Sequence, residues 1–395
     1  MALVRKSALY WDVETTYATD DDADGSDYLH VPANSIGPVV DSRTPLEQNY
    51  FNSRDNPSQW IPGPDGWALD VEIPIIGLPV VADDDEDPGT TSPVDWFDAL
   101  LLHLFGSQTE INGAAIVSAT NNGIVLDADL YAVADLMPVW ETALPAAAPC
   151  DRSQWAEVTV RNSASDYDVA PNWTVNPSSS GQAKGSRFYR RTDNGGSTLS
   201  LAVVEDDVTK TLSGGRCSAA SLTIPAGGAI SMSLTFRGDG IVTSGKGSLA
   251  TAGNAPAVTP LIGTHSPIWF GGTNYPSSEV TIDLGINAAV QPSTAGCFGR
   301  GGDDSISMSP VYTMKPLRTE AIRTLQRSAT TGKVLCQLGQ GALGSSILNT
   351  MAIASTLGQV SEAPLEDESG RWRNAVTIRA VDPGATGHLI QASRA

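Results

Sequence analysis

Long apolar runs are missing from this sequence. No stretch reaches the ~18 consecutive apolar residues of a membrane-crossing helix, so none is expected. Met1 to Glu14 carries two basic residues but no apolar core, and a secretory signal is not expected there. Basic charge is scarce. Lys and Arg number 24 against 44 Asp and Glu, a net charge of -20. A sequence-independent grip on nucleic acid needs many phosphate-neutralising cations, so that class is disfavoured. Four cysteines (Cys150, Cys217, Cys297, Cys336) sit far apart without a CxxC. That spacing suggests neither a disulfide framework nor a zinc site, and fits reduced thiols from a cytosolic assembly site. The four histidines (His30, His103, His265, His388) form no HxH or HExxH pattern. No GxSxG elbow and no P-loop occur, and aromatics, at 6%, are too few to suggest a sugar groove.

What is present points to β structure. Apolar residues make up 41% of 395 residues and charged ones 17%, which suits a folded core in two or three domains. The 38 Gly and 25 Pro, spread among Ser, Thr, Val and Ala, predict many short strands joined by turns. Acid is concentrated at one end. Residues 1–100 hold 20 acidic and 4 basic side chains, a net of -16, leaving -4 for the rest. Asp20-Asp21-Asp22-Ala23-Asp24 and Asp83-Asp84-Asp85-Glu86-Asp87 read as solvated loops. The first matches the start of an EF-hand calcium loop, but Val31 stands where the bidentate Glu belongs, and no helix pair flanks it.

Periodicity locates the elements. Residues 36–60 read as an extended β-arm or hairpin. Trp67, Leu69, Val71, Ile73 and Ile75 alternate with Ala68, Asp70, Glu72 and Pro74, predicting a strand with one apolar face. A helix is expected after Ser92 as N-cap and Pro93, with Trp96, Phe97, Leu100, Leu101, Leu104 and Phe105 as its apolar stripe and Gly106 as its stop. A second helix is predicted within Asp127–Leu144 from Leu130, Val133, Leu136 and Trp140, with Pro138 kinking or ending it. Trp67, Trp96 and Trp140 are assigned to core. Residues 198–240 are read as strands, with a hairpin of Ala220–Ile224 and Ile230–Phe236 about Pro225-Ala226-Gly227-Gly228. Ser244–Pro260 reads as a linker. Further strands are expected at Val280–Leu284, Ile306–Met314, Val334–Leu338, Leu348–Leu357 and Ala375–Val381, with a helix capped by Thr319 carrying Ile322 and Leu325. Gly339-Gln340-Gly341-Ala342-Leu343-Gly344 matches a dinucleotide fingerprint, with Glu362 roughly 20 residues on. No βαβ unit surrounds it, so it is read as a glycine-rich turn.

The order of elements repeats. An arm (36–60), strand, helix and hairpin in the first part correspond to an extended pair (279–295), strand, helix and hairpin in the second. Without residue identity between them, this is an echo of order alone. Duplication would let three chains close a ring that six single units otherwise make.

Four segments carry a resemblance to a known family. They are Ala8-Leu9-Tyr10-Trp11-Asp12-Val13-Glu14-Thr15-Thr16-Tyr17, the strand-plus-helix Trp67 to Phe105, the hairpin Cys217 to Phe236 with Arg237-Gly238, and Glu279-Val280-Thr281-Ile282-Asp283-Leu284-Gly285 with the later strands. With the segments between them they cover about two-thirds of the chain, and together they resemble the tail tube proteins (major tail proteins) of long-tailed bacteriophages. The resemblance implies a mainly β fold with a few helices: a barrel or sandwich unit, present twice, as residues 1–250 and 251–395. Residues 108–195 fit the family least and read as an insertion. It implies a virion protein, assembled in the host cytoplasm, that is not an enzyme and has no catalytic, cofactor or metal site. Its copies form homotrimeric or homohexameric rings stacked into a tube. The arm at 36–60, with 286–304 as counterpart, would meet the adjacent ring. A tape measure and a tail terminator would be its partners, and genomic DNA would pass the lumen without specific binding. The alternatives are a decoration or baseplate protein, or a carbohydrate-binding β-sandwich.

Overall fold

The computed structural model describes residues 7–14, 28–41, 46–48, 59–61, 66–77, 95–140, 153–174, 176–179, 181–192, 197–205, 208–238, 241–245, 260–289, 305–319, 322, 324–325, 330–339, 350–384 and 387–395. The acidic clusters at 20–24 and 83–87, the glycine-rich stretch 296–304, and most of 244–260 and 339–344 lie outside the described residues. What is described is mainly strand, as composition predicts.

Six strands lie side by side in one antiparallel sheet. Their spatial order is Trp67–Pro74, Ser231–Gly238, Val208–Pro225, Ser277–Asp283, Val311–Pro316 and Val376–Ala380. Alternation of apolar and polar residues gives each strand one core face. Leu69, Val71, Ile73, Met232, Leu234, Phe236, Leu222, Ile224, Ile282, Met314 and Ile378 all turn inward and are buried in one apolar cluster. The expected hairpin is longer than its sequence signal. Val208–Pro225 runs 18 residues because its first half also pairs with Leu199–Glu205 and Ile241–Gly245. Gly238 permits a close approach here, since a Cβ on it would lie 2.5 Å from the Trp67 ring.

The two sequence blocks are not separated in space. Ser221–Pro225 of the first pairs with Glu279–Asp283 of the second, and both contribute to the same apolar cluster. Each block also has one long strand with a whole-length partner on one edge and two successive partners on the other. Val208–Pro225 has Ser231–Gly238 and Ile241–Gly245 along one edge, with Leu199–Glu205 then Ser277–Asp283 along the other. Met351–Glu362 has Thr331–Leu338 along one edge, with Gln391–Arg394 then Val376–Ala380 along the other.

The first expected helix spans Trp96–Phe105, but its cap is Asp95 rather than Ser92. Asp95 Oδ1 accepts the N–H groups of Phe97 (2.9 Å) and Asp98 (2.7 Å), two of the orphan donors at a helix start. Gly106 ends the helix at φ 91°, the left-handed conformation expected of it. In the second block, Ile322, Thr324 and Leu325 are helical, and Thr319 Oγ1 accepts the Ile322 N–H at 3.4 Å.

The helix predicted within Asp127–Leu144 is absent. Residues 127–135 form turns and Leu136–Trp140 is a strand. Leu136, Met137 and Val139 are all buried, so no alternation betrays the strand, and Pro138 supplies only its carbonyl, which accepts the Lys184 N–H at 2.9 Å. This strand belongs to a closed six-stranded barrel of Ala114–Ala119, Gly123–Leu126, Leu136–Trp140, Ser153–Arg161, Asp166–Ala170 and Gln182–Ala183. The barrel leaves the main sheet after Gly106–Ile111 and returns through Ser186–Arg191, two strands paired with each other. The insertion expected at 108–195 is thus an excursion from neighbouring strands. Trp67 and Trp96 are core residues, while the Trp140 side chain lies outside the described residues.

Candidate assembly surface

The reactive side chains are locked inside. Cys217 and Cys336 are buried free thiols, and burial pushes both up to about 12, far from a usable thiolate. His103 is buried on the helix. Its Nδ1 donates to Ser197 O at 2.6 Å, and its Nε2 accepts the Cys217 N–H at 3.1 Å. Burial, with the Arg216 charge nearby, pushes it down to about 4, so the imidazole is a neutral structural bridge. Among the described residues no group of His, Cys, Asp and Glu is placed to hold a metal.

The largest buried polar cluster has a structural geometry too. Asp98 is fully buried and accepts from Tyr189 Oη, Arg187 Nη1 and Arg394 Nη1. Arg394 reaches Asp95 Oδ2 at 2.9 Å and the Gly77 carbonyl at 2.5 Å, and Arg187 Nε reaches Glu110 at 2.9 Å. Burial opposes the charge on Arg394, but Asp98 and Asp95 outweigh it and hold the guanidinium protonated. The cluster ties the helix, the return strand of the insertion and the strand Gln391–Arg394 together. No pattern in the sequence pairs Asp98 with residues 89 and 296 positions away.

Barrel and body are joined by similar means. Trp155 N donates to Gln337 Oε1 and its indole to Thr350 Oγ1, both at 3.0 Å, and Lys333 pairs with the buried Glu157 at 2.7 Å. Trp269 and Leu335 of the second block pack into the barrel's own apolar cluster.

What faces solvent is different in kind. The outward residues of the six-stranded sheet include Ser221, Thr223, Ser231, Ser233, Thr235, Thr281, Thr313 and Thr377. Successive registers place Ser231, Thr223, Thr281, Thr313 and Thr377 in one row across five strands, crossing from the first block into the second. At ~4.8 Å per strand that row runs about 19 Å. Thr is favoured here because its branched side chain suits a half-exposed pleat and its methyls pack across strands. The charges on this face are Asp70, Glu72, Glu279 and Asp283 against Arg237, Lys315 and Arg379, with Glu279 and Lys315 paired at 3.1 Å. The face is broad, hydroxyl-rich and nearly balanced in charge.

The two ends of this sheet also differ. The expected arms are both two-stranded hairpins. Leu46–Gln48 pairs with Gln59–Ile61, and Ile286–Ala289 with Ser305–Met308. Asp41, opposite Trp67, leads into the first, and Asp283, in register with Glu72 through Ser233 and Ser221, leads into the second. Both therefore leave from the same end of the sheet. The opposite end carries the turn after Pro225 and a third hairpin, Leu365–Glu368 with Arg371–Asn374. No protein-family model matches the chain, and no curated protein matches it.

Proposed function

We propose that this chain is the structural subunit of a bacteriophage tail tube, closing into rings that stack around a channel for the genome. The observation that carries this reading is the hydroxyl-lined sheet face that runs without interruption through both blocks, backed by one apolar core. A wall of Ser and Thr gives a polyanion no cation stripe to adhere to, and water on both sides screens what charge remains. The first and second blocks joined edge to edge supply, within one chain, the kind of strand pairing that neighbouring subunits of a ring need. Two blocks per chain favour three chains per ring, and the matching hairpins suit contacts between rings. Tape measure and tail terminator would be the partners of the finished tube.

Negative-stain microscopy of the purified full-length protein tests the reading. Rings or tubes with an open channel about 40 Å wide, enough for a DNA duplex with clearance, are expected. Monomers stabilised against heat by a sugar would replace the proposal with a carbohydrate-binding role. The mass of one ring then separates three chains from six.

A further inference from the structure

We propose that the sheet end bearing Trp372 docks on the opposite, arm-bearing end of a second copy of this chain, so that copies associate head to tail. This inference rests on the tube reading and names the surface that stacking uses. Four of the eight exposed large hydrophobics among the described residues gather at this one end: Ile262, Leu317, Leu365 and Trp372. Trp372, 56% exposed, and Leu365 share one face of the third hairpin, because Asp367 opposes Trp372 and Leu365 opposes Asn374. Leu317 bridges to Arg373 at the hairpin's root, and Ile262 bridges to Ala229 beside it. An exposed Trp at a strand end costs solubility and adds nothing to the core, so its position calls for a covering surface.

The hairpin is held in place before any partner arrives. Ser369 and Gly370 both have positive φ (53° and 78°), the pair of angles that a tight two-residue turn requires. Gly370 N donates to Asp367 Oδ1 at 2.8 Å. On the other face Arg373 pairs with Glu368 and donates to Lys315 O at 3.1 Å, while Ser278 Oγ donates to Glu368 at 2.8 Å. A preformed hairpin loses little freedom on binding.

Two observations select a second copy as the occupant. First, the arms leave from one end of the sheet and the apolar cluster lies at the other, so simple translation along the strands sets one against the other. That contact is heterologous and does not close on itself, which makes it repeat indefinitely. Second, Arg318 and Arg371 are exposed beside the cluster, and neither forms an ion pair among the described residues. They complement a chain of net charge -20.

The test uses the full chain with Trp372→Ala, which removes the anchor from an exposed position and leaves the core untouched. Sedimentation and negative stain should show ring-to-ring association weakened about 30-fold or more, as for loss of an aromatic anchor, with single rings and the melting midpoint preserved. A photo-crosslinking residue at 372 should capture peptides from 40–67 or 284–310 of another copy. Tubes as long as the parent's, or crosslinks confined to other surfaces, would overturn the docking surface and leave the tube reading intact. A parent protein that forms neither rings nor tubes would overturn both.

Discussion

The two faces of the central sheet are built from the same strands and obey opposite rules. Toward the helix, every side chain is apolar or has its polar atoms met by a named partner: Asp98 by three donors, His103 by a carbonyl and an amide. Toward solvent, hydroxyls stand in rows, and only scattered contacts such as Thr235 to Asp70 (2.7 Å) fix them. The contrast teaches that stability resides on one side, while the other is free to be shaped by whatever passes over or binds to it.

The strongest way to break this contrast is to place the same charge on each side. Leu101 is fully buried, and Leu101→Asp puts an unpaired carboxylate in the core, so no soluble folded protein is expected. Thr281→Asp, on the outward row, should express and melt close to the parent in a thermal scan. Equal behaviour of the two would show that the helix does not pack where described.

Asp98→Ala is the next largest. It strands Arg187 and Arg394 in the interior, and should cost about 3–5 kcal/mol in urea unfolding. Asp70→Ala on the outer face should change stability by less than about 0.5 kcal/mol.

His103 sharpens the comparison through pH. Its folded pKa of about 4 lies below the unfolded value near 6.5, so the unfolded chain binds a proton that the folded one refuses. Its contribution is complete above pH 6.5 and is lost as pH falls toward 4, a decline of about 3 kcal/mol. Urea unfolding of the parent and of His103→Gln at pH 7 and 4.5 checks this. The variant should show the shallower pH dependence, and an equal slope would remove His103 from the account.

Much of the sheet was legible because its strands are exposed on one side. Trp67 to Ile73, Ala220–Phe236 and Val280–Leu284 alternate strictly, and they are strands. The barrel strand Leu136–Trp140 was misread as helix because both its faces are covered, which erases the period of two and leaves apolar residues at helical spacing. The helix start was misplaced by three residues because Ser92 and Asp95 are both good caps by type. The hydroxyl row could not be read from sequence at all. Thr223, Thr281, Thr313 and Thr377 align only through registers fixed by the core on the far side, and Asp98's partners likewise meet only after folding.

Five residue pairs, Ser221–Asp283 through Pro225–Glu279, join the two blocks. A flexible tether between them would transmit no torque, whereas this seam is a row of hydrogen bonds lying across the strand direction. Pulling along the strands loads all of them in shear together, and prying the blocks apart breaks them one after another. The chain is mechanically anisotropic at its midpoint, stiff along one axis and able to flex about the other.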